Sequence, residues 1–188
     1  VKDMCDMFNG ATDFNCDLSK WDVSKVKEMD GMFYNAESFK QKLCGASWFY
    51  SEASKSDMFK GSPGSISRTV CAPVTAQGKA EHATHRSSVP EKPASAVFSP
   101  QSKSELKKAV DAQLKLSPQG NGHNGPHGPI GEWDVSRITD MRDMFNGATS
   151  FNGDLSKWDV SKVITMDSMF MGATTFAGDI SKWDVSNV

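Results

Sequence analysis

Cysteine and histidine are the residue types here most able to carry metal or redox chemistry, and the chain has four of each. Cys5, Cys16, Cys44 and Cys71 form no CxxC pair, so a zinc site lacks its usual spacing. Cys44 and Cys71 flank a degenerate stretch, which makes them the candidate disulfide. Closing a loop of that size is worth about 3 kcal/mol. Cys5 and Cys16 stand where other copies of a repeat carry polar residues or Gly, and read as incidental. His82 and His85 lie in a polar segment, and His123 and His127 in a Gly-rich turn. None has a cysteine or carboxylate at ligand spacing, so they read as solvated loop histidines. There is no G-x-S-x-G elbow, H-E-x-x-H helix or P-loop. The expectation is a chain with no catalytic residue, no metal and no cofactor.

A second group of reactive side chains is ordered by position. Lys20 and Asp22 flank Trp21, Glu132 and Asp134 flank Trp133, Lys157 and Asp159 flank Trp158, and Lys182 and Asp184 flank Trp183. In an extended segment alternate side chains face opposite sides. Trp and the following Val then point inward, and these eight charged residues form an outward face. Like charges stacked about 5 Å apart repel. Diagonal Lys–Asp pairing, hydrogen bonds between each Asp and the following Ser136, Ser161 or Ser186, or a bound cation would each relieve this. Pairing with local hydrogen bonding is the simpler expectation.

These flanked tryptophans belong to a repeat of 25 residues, from Trp133 to Trp158 to Trp183. After Trp158 come Val160, Val163, Met166, Met169, Phe170, Ala173, Phe176 and Ile180. The same columns follow Trp133 and Trp21, and Met4, Met7, Phe8, Ala11, Phe14 and Leu18 repeat them again. Ile130–Val135 reads as a strand. Val163, Met166, Phe170 and Ala173 share one helical face, or in part a second short extended segment. Gly10, Gly147, Gly172 and Asn35 occupy one position, read as a left-handed cap. One such unit has no partner for its apolar face, so the units must stack.

The repeat breaks twice. After Leu43, Trp48 opens an atypical copy in which Met58 and Phe59 arrive one residue early. Residues 63–97 contain no Phe, Trp or Tyr and read as a flexible, disordered linker. Ser102 and Glu105 then fit a capping box, and Leu106, Ala109, Val110 and Leu114 line one face of a helix suited to cover the next repeat. The expected organisation is a first array over 1–62, the linker over 63–97, and a second array with its helical cap over 98–188. The fold class is α/β, a parallel solenoid in two short arrays whose open ends favour self-association.

The text W-D-V-S-x-V-x-x-M-x-x-M-F-x-x-A-x-x-F resembles the BspA-type leucine-rich-repeat-like surface proteins, over about residues 1–62 and 130–188. The resemblance implies a leucine-rich-repeat-like solenoid and a cell-surface or secreted setting, and supplies no catalytic residues. Two departures stand out. The Asn column of ordinary leucine-rich repeats is missing, and Trp and Met replace most leucines. A net charge of −2 gives no basic excess for nucleic acid, and no apolar run approaches the roughly 20 residues of a membrane helix. The expected role is a non-enzymatic module binding a protein or glycan through the Lys/Asp face. A rigid spacer without a ligand and an unrecognised enzyme are the rivals.

Overall fold

The computed structural model describes residues 2–71, 97–123 and 125–188. Its repeats are built from turns. Gly10, Asn35, Gly61, Gly147 and Gly172 have positive φ, which the Gly/Asn column predicted for all of them except Gly61. A second column does too: Asp6, Gly31, Asp57, Asp143 and Ser168, with φ between 51° and 62°. Left-handed residues four apart cannot lie within a right-handed helix. The Met half of each repeat therefore closes short turns instead. Met169 N–H donates to Met166 O, Met171 to Ser168, Ala173 to Phe170 and Phe176 to Ala173, at 3.0–3.2 Å.

The amides between these turns point to the next layer. Met141, Asp143, Phe145 and Gly147 donate to Thr165, Asp167, Met169 and Met171 at 2.8–3.1 Å. Met166, Ser168, Phe170 and Gly172 donate to Asp3, Cys5, Met7 and Asn9 at 2.7–2.9 Å. Met4, Asp6, Phe8 and Gly10 donate to Glu28, Asp30, Met32 and Tyr34 at 2.8–2.9 Å. Met29, Gly31, Phe33 and Asn35 donate to Ser54, Ser56, Met58 and Lys60 at 2.8–2.9 Å. The layers thus stack in the order Trp133, Trp158, Trp183, Trp21, Trp48. The layer opened by Trp183 is completed by residues 2–17, and Lys2 Nζ donates to Asn187 O at 2.9 Å.

One core runs through all of them. Phe145, Phe170, Phe8, Phe33 and Phe59 stack near-parallel with centroids 5.4–5.7 Å apart. Phe151, Phe176, Phe14 and Phe39 make a second column at 5.7–6.0 Å. Each buried indole N–H reaches back one layer: Trp158 to Ile130 O, Trp183 to Leu155 O, Trp21 to Ile180 O and Trp48 to Leu18 O, at 2.8–3.1 Å. The indoles thereby satisfy a buried donor while supplying apolar bulk.

Regular elements are few. They are β1 (Lys42–Leu43), α1 (Ala46–Phe49), β2 (Ser65–Ile66), α2 (Lys103–Leu116) and a 3-10 turn at Ile130–Glu132. β1 and β2 pair in parallel, Lys42 with Ser65 and Leu43 with Ile66. Single parallel bridges link Asp140, Thr165, Asp3, Glu28 and Ser54 from layer to layer.

The expected α/β leucine-rich-repeat-like solenoid, with a strand and helix in each repeat and two linked arrays, is therefore corrected. Among the described residues there are two α-helices and one two-stranded sheet. The strand expected at Ile130–Val135 begins as a 3-10 turn. The 1–62 and 98–188 regions share one core, so their division does not hold. Of the proposed linker 63–97, residues 63–71 belong to the Trp48 layer through β2 and the Cys71 N–H bond to Cys44 O. Residues 72–96, with His82 and His85, lie outside the described residues.

The expected helical cap forms as α2. Ser102 Oγ accepts from Glu105 N–H at 3.2 Å, and Glu105 reaches back to Gln101 N–H rather than to Ser102 itself. Leu106, Ala109 and Val110 are buried. Lys103 pairs with Asp140 at 3.1 Å, and Lys107 Nζ donates to Met144 O, an acceptor that a preceding layer would otherwise use.

Candidate functional site

The charged face forms as the alternation predicted. Lys20, Asp22, Glu132, Asp134, Lys157, Asp159, Lys182 and Asp184 are all exposed, and the Trp and Val between them are buried. Each Asp closes a turn on itself. Asp22, Asp134, Asp159 and Asp184 accept from the backbone N–H of Ser24, Ser136, Ser161 and Ser186 at 3.0–3.1 Å. The Ser hydroxyl and amide hold all four carboxyls below the usual range. Asp17, Asp154 and Asp179 repeat the device at 2.9–3.0 Å, a second column that the D-x-S spacing could have revealed. Cross-layer pairing contributes little: Lys157 approaches Glu132 at 4.0 Å with both side chains exposed.

At one end of this face the side chains converge. A cleft of about 320 Å³ is lined by Val97, Trp133, Glu132, Asp134, Lys157 and Asp159, together with neighbouring backbone. An adjoining cleft of about 230 Å³ shares Glu132 and Lys157 and adds His123 and Asp154. The pair offers carboxylates, an ammonium and an imidazole beside partly apolar walls. Such a site can hold a polar ligand by hydrogen bonds and charge. Lys20, Asp22, Lys182 and Asp184 lie on other layers of the face and do not line either cleft. His127 is an exposed loop residue, as expected, and also makes contacts. Its ring stacks on Phe98 at 3.8 Å, and its carbonyl accepts from the Trp133 indole at 3.0 Å.

Cys44 and Cys71 form a disulfide with Cα atoms 5.1 Å apart. Cys5 and Cys16 are free thiols. Burial and the nearby Asp3 push Cys5 up to about 12, and burial pushes Cys16 up to about 11, which disfavours their thiolates.

The sequence reading missed an acidic strip beside the Met columns, holding Asp140, Asp143, Asp167, Asp3, Asp6, Glu28 and Asp30. Asp3, Cys5 and Glu28 bring ligand atoms within 4.8 Å of one another. Asp3 also accepts from Cys5 N–H at 2.8 Å. Burial and the surrounding carboxylates raise Asp167. Asp3 and Asp140 accept from the backbone N–H two residues on, Asp6 and Asp143 from the Asn side chain three on, and Asp30 from Ser54 and Ser56 of the next layer.

The family model that matches the chain covers residues 1–68 and 119–188, the turn-built layers described above, and its description is "Mycoplasma protein of unknown function, DUF285". The chain belongs to the DUF285 family. The matched residues leave out the whole of α2, so the lid lies outside the DUF285 match. No curated protein and no solved structure matches the chain. No helix among the described residues is long and apolar enough to cross a membrane.

Proposed function

We propose that this DUF285 chain is a non-enzymatic binding module, displayed at the cell surface or secreted, that takes a protein or glycan ligand on its Lys/Asp face. The observation that carries this reading is the convergence of Glu132, Asp134, Lys157 and Asp159 around one cleft of about 320 Å³. The Ser-bound carboxylates Asp134 and Asp159 are held in one orientation before any ligand arrives, which lowers the ordering cost of binding. The Cys44–Cys71 disulfide supports an extracytoplasmic setting, because such bonds persist in oxidising compartments.

The alternative is a rigid spacer. It draws on the near-identity of the face from layer to layer and on the use of each Asp within its own turn. Glycan and protein arrays probed with the full chain and with a Glu132→Ala/Lys157→Glu variant separate the two. A binding module retains a ligand that the variant loses, with at least a tenfold rise in Kd. A spacer gives no ligand that depends on these residues.

A further inference from the structure

The stack has a direction, and its two ends differ. Along the Met turns of the first four layers, alternate amides donate to the carbonyls of the layer that follows, while Ile164, Thr175, Lys27, Ser38 and Ser54 donate back to the layer before. At the first end, the Trp133 layer presents acceptors, and α2 lies over it with Lys107 on Met144 O. At the far end, the Trp48 layer presents donors. Lys55, Asp57, Phe59 and Gly61 occupy the positions of Met29, Gly31, Phe33 and Asn35, all four of which donate across a layer boundary. Their own N–H groups have no partner among the described residues. Phe59 ends the phenylalanine column, 5.4 Å from Phe33, and is half-buried, as is Ile66 beside β1.

We propose that this donor end is a docking surface for a peptide segment of another chain that reproduces the acceptor edge of the repeat. Such a segment carries backbone carbonyls on alternate residues and a phenylalanine that continues the ring stack on Phe59. The surface continues the four layer boundaries already formed, where the same amide positions and the same stacked ring recur. Along the Met turns, the donor end of a second copy offers N–H groups rather than the acceptors that these amides need. Its acceptor end lies under α2, with Lys107 on Met144 O. The surface is separate from the charged face, so the proposal stands independently of the ligand proposed there.

The test uses the full chain and a synthetic peptide with the sequence of residues 139–163, one repeat with its acceptor edge. Amide hydrogen exchange is followed with and without the peptide, alongside a peptide carrying Phe145→Ala. The expected result is at least tenfold slower exchange at Asp57, Phe59 and Gly61 with the parent peptide, and at least tenfold weaker binding of the ring-less one. A Phe59→Leu chain, which keeps the half-buried apolar contact, is expected to melt near the parent and to lose the same discrimination between peptides. The proposal is overturned if those amides are already protected in the free chain, if millimolar peptide leaves them unchanged or protects only other residues, or if both peptides bind equally.

Discussion

At the scale of single residues, Trp158 joins two functions in one side chain. It fills the space between layers and hands its indole N–H to Ile130 O at 3.0 Å. Trp158→Ala is expected to lose about 3–5 kcal/mol, the range for truncating a buried aromatic. Trp158→Phe keeps much of the bulk and is expected to cost less, with about 1 kcal/mol of it from the lost hydrogen bond. Urea unfolding of both variants measures the difference, and a Trp158→Ala chain as stable as the parent would mean that the indole is not in the core. Gly172 contributes backbone freedom instead. A Cβ there would come no closer than 3.7 Å to Gly147, so space is sufficient and φ of 68° is the obstacle. Gly172→Ala is expected to cost about 1–2 kcal/mol in the same assay. This column was legible because only Gly and Asn fill it. The second left-handed column was not, because Asp6, Gly31, Asp143 and Ser168 share a conformation without sharing a chemistry. Asp tolerates the left-handed region through local hydrogen bonds, as Asp6 and Asp143 do with Asn9 and Asn146.

Elements are sparse here, and the missed column explains why. Val163, Met166, Phe170 and Ala173 have helical spacing, but Ser168 between them is left-handed and turns the chain. Apolar period alone could not separate a helix from a series of three-residue turns that also face one core. α2 was legible because its signals are local: a Ser102 cap, Glu105 three residues on, and one apolar face. Ser102→Ala is expected to destabilise α2 by about 1 kcal/mol, seen as faster amide exchange in its first turn. Its clamp to the stack is pH-dependent. Burial pulls Asp140 up, but Arg142 and Lys103 outweigh it and hold the carboxyl at about 2, below its ordinary 3.8. A carboxyl depressed by folding stabilises above its ordinary value and loses that contribution as pH falls through the folded one. The lid of the parent chain is therefore expected to loosen between about pH 4 and pH 2. Asp140→Asn is expected to loosen it at pH 7 and to flatten that acid dependence, with α2 amide exchange as the readout. An unchanged pH profile in the variant would remove Asp140 from the clamp.

Across the whole molecule, the repeat text was legible and its spatial order was not. The columns of Trp, Met and Phe were read correctly as one inward set. Two arrays were inferred because the copies stand on either side of a long non-repeating stretch. Contiguous text cannot show that Ile180–Val188 and residues 2–17 make a single layer. That follows only from the bonds between them, such as Trp21 Nε1 to Ile180 O at 3.1 Å and Phe170 N–H to Met7 O at 2.9 Å. The disulfide ties the far end of the stack. Reduction of Cys44–Cys71 is expected to destabilise the chain by about 3 kcal/mol in the loop-closure account, measured by melting with and without reductant. The cleft at Glu132 and Lys157 was only half legible, since the charged columns were visible but their convergence depends on the loop before Trp133 and on Val97.

Residues 2–71, 97–123 and 125–188 form one stack. Amide hydrogen exchange at Met166, Ser168, Phe170 and Gly172 tests it most directly, because these four donate to Asp3, Cys5, Met7 and Asn9 across the junction. In a single stack they are protected as strongly as Met141, Asp143, Phe145 and Gly147, which make the same bonds within the second region. Exchange at the first four as fast as at exposed turn amides, with the second four still protected, would mean that the two regions do not share a core.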